Sequence, residues 1–330
     1  MWSGSSHAWD TADTRARSWS RPSARVIIPC SKLHRIEPMR IVITGAKGML
    51  GRELVEYLTP QHDVLGLDLP ECDLTDGEAA RRAICGFRPN IVIHAAAYTD
   101  VDKSESEPEK VYAANVVATR NVAAASSEAG ARVFYISTDY VFDGCKKSPY
   151  LETDKPNPLG VYGKSKYEGE RVLVRACGGI GYVIVRSSWL FGPYGKNFVR
   201  TILDLARQRK RISVVDDQIG SPTYTYDLAV AIERLFDLTF KGIVNICNSG
   251  ECSWWRFAKE ALRFAGAGDV EVEPITTEQL GRPAPRPHYS VLSNRKFERL
   301  TGHRLQPWLS ALKDYIEREG LMRAPVDSAG

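Results

Sequence analysis

A short β-branched run, Arg40-Ile41-Val42-Ile43-Thr44, leads directly into Gly45-Ala46-Lys47-Gly48-Met49-Leu50-Gly51. Leu54, Val55 and Leu58 then follow at helical spacing. Few architectures accept a buried strand, a glycine turn and a helix in immediate succession. The alternation continues down the chain. Val64-Leu65-Gly66-Leu67, Ile91-Val92-Ile93, Val133-Phe134-Tyr135-Ile136 and Tyr182-Val183-Ile184-Val185 read as further strands. Helical patterns separate them at 77–87, from about Pro108 to Ala129, and from Tyr162. The strands are continuous apolar runs rather than alternating ones, as expected where both faces of a parallel sheet are covered.

These features predict an α/β, Rossmann-like doubly wound parallel sheet with a smaller C-terminal substrate-binding lobe. We divide the chain into 1–38, a leader or a start assigned too early, 39–186, the dinucleotide-binding domain, and 187–330, mainly the lobe. Some elements of that last part are expected to return to the sheet. The lobe holds Trp189, Trp254, Trp255 and the Arg/Pro stretch Gly281–Pro287. It is expected over the C-terminal edge of the sheet, where ligands of such sheets bind.

The G-x-x-G-x-x-G spacing of Gly45, Gly48 and Gly51 permits a tight turn and close backbone approach. The following helix N-terminus offers unpaired N–H groups to a pyrophosphate. Asp68 ends the second strand, where a carboxylate accepts hydrogen bonds from an adenosine ribose. Asp68 repels a 2′-phosphate and favours NADH. Lys47 attracts one and favours NADPH, so the choice stays open at this level.

Tyr162-Gly163-Lys164-Ser165-Lys166 puts a phenol and an ammonium four residues apart on one helical face. A free phenol titrates near pH 10 and is a poor proton carrier at pH 7. A neighbouring ammonium and an oxidised nicotinamide would both lower that value. Ser137-Thr138-Asp139-Tyr140-Val141-Phe142 follows the strand 133–136, with its hydroxyls at the C-terminal edge.

In this order, these segments resemble the extended short-chain dehydrogenase/reductase superfamily and, within it, the dTDP-4-dehydrorhamnose reductase family. The resemblance runs from Met39 to about residue 317. It rests further on Ala95-Ala96-Ala97-Tyr98-Thr99-Asp100-Val101-Asp102-Lys103-Ser104-Glu105, Arg186-Ser187-Ser188-Trp189, Asp217-Gln218-Ile219-Gly220-Ser221-Pro222-Thr223 and Arg286-Pro287. It implies a cytoplasmic enzyme reducing the C4 keto group of a sugar nucleotide with NADPH or NADH. It implies Tyr162 as proton donor, Lys166 on the nicotinamide ribose, and Thr138 polarising the carbonyl oxygen. Asp139 and Trp189 are implied as sugar-nucleotide contacts, and Arg286 is a candidate for the diphosphate. Gly48, Met49, Leu50, Asp68, Asp73, Leu74, Ala95, Ala96 and Ala97 are carried over as cofactor contacts, with Gly45 and Gly51 completing the loop and Tyr162 and Lys166 meeting the cofactor as well.

Two departures narrow the reading. Some bacterial members join dimers through glutamate-held metal. Here Glu53 stands at one such position, but Tyr226 and Leu309 stand where the other two are expected. A homodimer remains possible without the metal. A 4,6-dehydratase needs an Asp-Glu pair after the threonine, whereas Thr138 is followed by Asp139-Tyr140. A related epimerase or dehydratase, or a non-catalytic regulatory subunit, is the alternative.

Composition excludes other classes. Among 330 residues, 44 Lys+Arg against 40 Asp+Glu leave a net charge of +4, too little to argue for a nucleic-acid partner. Much of it lies in 1–38, a Ser-, Arg- and Trp-rich segment whose only apolar run is Val26-Ile27-Ile28. No apolar run approaches the roughly 18–20 residues of a membrane span. Seven scattered cysteines without a C-x-x-C pair suggest reduced thiols and no metal site. His94 is expected to be a hydrogen-bonded residue at a strand end, and Arg207–Arg211 a solvated helix end.

Overall fold

Of the strands proposed above, each forms, and the computed structural model describes residues 37–177, 179 and 181–322. The leader reading therefore lies almost entirely outside the described residues. β1 (Arg40–Thr44) buries four of its five residues and enters the glycine turn before α1 (Met49–Leu58). β2 (Asp63–Leu67), α2 (Gly77–Phe87) and β3 (Ile91–His94) follow. Asp76 starts α2 by accepting the N–H groups of Glu78 and Ala79, and Arg88 ends it in the left-handed region.

After β3 comes a short α3 (Val101–Ser104), and the long pattern from Pro108 resolves into α4 (Pro108–Tyr112), a π-helical turn at Ala113–Val117 and α5 (Ala118–Glu128). β4 (Arg132–Thr138), α6 (Val161–Ala176) and β5 (Tyr182–Ser187) complete the first half. No side chain of its own N-cap closes α6; instead Glu105 accepts the Val161 N–H at 2.8 Å from 56 residues away.

The second half consists of short pieces. β6 (Leu190–Phe191), α7 (Phe198–Gln208), β7 (Arg211–Val215), β8 (Ile219–Gly220) and β9 (Thr223–Tyr224) precede α8 (Thr225–Glu233) and β10 (Gly242–Asn245). β11 (Cys252–Ser253), α9 (Trp254–Phe264), β12 (Glu271–Ile275), α10 (Thr277–Leu280), α11 (Arg295–Thr301) and α12 (Trp308–Arg318) end the described chain.

The central sheet has six parallel strands in the order β10-β5-β4-β3-β1-β2. The order reverses beside β1, so β1 and β3 open a crevice at their C-terminal ends. One apolar layer joins Ile41, Ile43, Leu54, Ile93, Phe134 and Val185 to Leu228 and Ile232 of α8. The other joins Val42, Val92, Ile84 and Val122 under α2 and α5. Each such side chain contributes roughly 1.5–3 kcal/mol on burial. A separate core in the second half gathers Phe191, Phe257, Leu312 and Tyr315.

His94 is wholly buried rather than merely terminal. It bonds Thr44 at 2.7 Å and Thr119 at 3.0 Å, and burial pushes its pKa down to about 3, leaving it neutral. The basic run is exposed as expected, with Arg207 pairing with Asp204 and Arg211 with Glu271, but only its first two residues end a helix (Phe198–Gln208) and Arg211 opens a strand (Arg211–Val215). Among the described residues, the six cysteines are free, and no helix is long and apolar enough to cross a membrane. Cys30 lies outside them.

Candidate active site

The crevice is an elongated cleft of about 850 Å³, with the glycine loop at one end and Trp189 and Trp254 at the other. The loop is as tight as its spacing implies. Gly45 has φ +70°, and a Cβ there would stand 2.6 Å from the Ala96 nitrogen. A Cβ on Gly51 would stand 1.9 Å from the Gly45 carbonyl oxygen. Gly48 begins α1 without a capping side chain, leaving the first-turn N–H groups, those of Met49 and Leu50 included, for an anion. This cradle, and the small Ala95, Ala96 and Ala97 beside it, fit a dinucleotide's pyrophosphate.

Asp68 accepts the Lys47 N–H at 2.7 Å and the Leu69 N–H at 2.8 Å. The Lys47 ammonium folds back onto the Leu69 carbonyl at 2.7 Å and the Glu71 carboxylate at 2.6 Å. The two residues that argued for opposite cofactors therefore stand side by side at one corner of the cleft. Asp73 closes a turn on Thr75, which holds its carboxyl below the usual range, and Leu74 packs behind it. Both line the same end.

At the middle, Thr138, Tyr162 and Lys166 line one wall. Thr138 donates to Asp139 Oδ1 at 3.0 Å and accepts the Tyr140 N–H at 3.1 Å. Lys166 is buried, donates to the Ile136 carbonyl at 2.7 Å and lies 4.1 Å from the Tyr135 ring centroid. Burial pushes Lys166 down to about 7, with Glu170 pulling the other way. It pushes Tyr162 up to about 12, against the pull of the Thr138 hydroxyl. The lowering expected from the Lys166 ammonium does not appear among the influences on the phenol, desolvation dominates, and Tyr162 is a protonated phenol at neutral pH. Asp139 is raised to about 6 by burial, and its Oδ2 lacks a hydrogen bond of regular geometry.

Trp189 adopts φ +49° and stacks on Trp254, the first residue of α9. Arg286 does not line the cleft. Its guanidinium binds Asp102 at 3.0 Å and the Ala284 carbonyl at 2.9 Å, behind Tyr140. Glu53, singled out for a metal bridge, accepts the Thr225 hydroxyl at 2.9 Å.

Four further residues have roles at the site that the sequence did not assign. Trp254 follows a Ser253 cap, but nothing local points it toward a cleft. Asn115 sits in the π-turn, where it accepts the Tyr98 N–H at 2.8 Å and donates to Ser165 at 2.9 Å. It ties the Ala95–Thr99 wall to α6. Glu170 and Arg186 form a buried bidentate pair beneath Lys166.

A glycine-cradled parallel sheet with a threonine, tyrosine and lysine on its crevice defines a dinucleotide-dependent oxidoreductase of the short-chain dehydrogenase/reductase class. The family model described as RmlD substrate binding domain matches residues 39–320, and the chain belongs to that family. It is 41% identical over 288 residues to a dTDP-4-dehydrorhamnose reductase of Aggregatibacter actinomycetemcomitans, covering 83% of this chain and 97% of the relative. It is 40% identical over 279 residues to the spore coat polysaccharide biosynthesis protein SpsK of Bacillus subtilis, covering 84% and 97%. Among solved structures it resembles dTDP-4-dehydrorhamnose reductase from Bacillus anthracis str. Ames in complex with NADP. That likeness has TM-score 0.82 and 42% identity, covering 85% of this chain and 99% of that one.

Proposed function

We propose that this chain reduces the C4 keto group of dTDP-4-dehydro-L-rhamnose to dTDP-L-rhamnose with NADPH or NADH. The observation that carries the reading is one cleft lined by the glycine cradle, by Tyr162, Lys166 and Thr138, and by Trp189. The bound reduced cofactor supplies the hydride. The chain's own residues do the rest. Tyr162, protonated at neutral pH, gives its proton to the carbonyl oxygen as C4 becomes tetrahedral. The Lys166 ammonium stabilises the phenolate left behind, and also takes the nicotinamide ribose. Thr138, oriented by Asp139, steadies the carbonyl oxygen.

In this reading Gly45, Gly48, Met49, Leu50 and Gly51 hold the pyrophosphate, Asp68 the adenosine ribose, and Asp73 and Leu74 the adenine. Ala95, Ala96 and Ala97 lie under the dinucleotide. Asp139 and Trp189 meet the sugar nucleotide. Arg286 reaches the diphosphate only by leaving Asp102. Tyr140, where a dehydratase needs a second acid, packs edge-on against Tyr162 with centroids 5.8 Å apart. That favours plain reduction over water elimination. The proposal includes a cytoplasmic location, no nucleic-acid or membrane partner, and a homodimer, which light scattering checks.

The test is NADPH and NADH oxidation with the 4-keto sugar nucleotide generated in place by the preceding dehydratase and epimerase. Turnover that disappears in Tyr162→Phe is expected. Dinucleotide binding without turnover on this substrate would refute the assignment.

A further inference from the structure

The Lys166 ammonium forms no ion pair among the described residues. A charge this deep needs compensation, and desolvation alone would strip its proton. The compensating group lies one helical turn on. Glu170, 2% exposed, accepts Arg186 Nε at 2.8 Å, Arg186 Nη2 at 2.6 Å and the Ser137 hydroxyl at 2.6 Å. Ser137 sits between Ile136, whose carbonyl holds Lys166, and Thr138. One carboxylate thus ties α6, β4 and β5 together around the ammonium. Gly169 lets the helix come this close, since a Cβ there would stand 2.3 Å from the Tyr135 hydroxyl.

Stability does not require such a pair. Apolar residues of similar volume are often as stable as a buried ion pair, and this one leaves Arg186 Nη1 without a hydrogen bond. We propose that Glu170 is a positioning residue for the reduction: its negative charge keeps Lys166 an ammonium, and its bonds fix the β4 end that carries Thr138. The inference rests on the reading of Tyr162 and Lys166 given above.

The other groups around Lys166 do not supply this charge. Tyr162, on the same helix, and Tyr135, on β4, are both raised by burial and stay neutral. His94, on β3, is neutral. Arg186, on β5, is a cation and acts in the opposite sense. Asp139 acts on Tyr162, whereas the acid that acts on Lys166 is Glu170.

Glu170→Gln keeps the shape and removes the charge. The alkaline limb of kcat is expected to move about one pH unit lower, a roughly tenfold loss at high pH relative to low. Independently of turnover, the pH midpoint for labelling Lys166 with a small amine-reactive electrophile, mapped by mass spectrometry, is expected to fall by about the same amount. The double variant Glu170→Gln/Arg186→Gln removes both buried charges and so leaves neither of them unpaired; its midpoint is expected to fall in the same direction, but by less, because the opposing Arg186 charge goes too. An unchanged labelling midpoint in either variant overturns the inference, whatever the melting temperature does. A shifted midpoint in a chain that reduces no 4-keto sugar nucleotide supports the role of Glu170 and refutes the proposed function instead.

Discussion

Trp189 and Trp254 lie face to face, their ring centroids 3.6 Å apart and their planes 7° from parallel, although they stand 65 positions apart in the chain. Phe198 leans on the outer partner at 4.5 Å. The backing matters because Trp189 is held at φ +49°, a region costly for a bulky side chain. Gly220 leaves the room: a Cβ there would stand 2.4 Å from the Trp189 ring.

Trp254→Ala therefore frees Trp189 to leave its strained conformation. We expect KM for the sugar nucleotide to rise about tenfold, near 1.4 kcal/mol, with dinucleotide affinity unchanged. Steady-state kinetics and cofactor titration check this; equal loss of both affinities would mean the stack supports the whole cleft instead.

Tyr162→Phe removes the phenolic hydroxyl, and with it the transferable proton and the bond to Thr138. Loss of a general acid costs on the order of 10² to 10⁴ in kcat. The variant should still bind NADPH normally, since the glycine cradle is untouched. Stopped-flow hydride transfer is the measurement, and near-native rates would remove Tyr162 from the reaction.

Cofactor choice turns on Lys47, whose ammonium is shared between Glu71 and the Leu69 carbonyl. Lys47→Ala is expected to lower the NADPH-to-NADH ratio of kcat/KM by about tenfold, the value of one charge-assisted contact. Glu71→Gln releases the ammonium and should raise that ratio. The two ratios moving in the same direction would show that Lys47 never meets the 2′-phosphate.

Asp139 carries a stability consequence with a definite sign. Its folded pKa of about 6 lies above the usual 3.8, so burial favours the protonated carboxyl. The folded state is then penalised as pH rises through 4 to 6, by about 3 kcal/mol once the group is ionised. Asp139→Asn should be more stable than the parent near pH 8 and no different near pH 3, read by denaturant unfolding. The amide oxygen of Asn still accepts the Thr138 hydroxyl, so that bond is expected to persist.

Much of this was legible beforehand because the signals are local. β1, the glycine turn and α1 are contiguous, so apolar runs and glycine spacing suffice to read them. Tyr162 and Lys166 share a helical face by arithmetic. The rest is long-range. Asp102 meets Arg286 across 184 positions, turning a candidate phosphate ligand into one side of an ion pair. Asn115 owes its reach to a π-turn that no residue pattern announces. The phenol's pKa depended on burial, which side-chain identity does not reveal.

The sheet's sixth strand comes from residues 242–245, and α8 covers part of its core. A fragment ending at Arg186 would leave the β5 backbone unpaired along one side, with Val183 and Val185 beside it. Such an edge recruits strands from other molecules. Excising the dinucleotide half for study, as one does with separable modules, would therefore yield aggregate; only a chain reaching through Asn245 seals its own border.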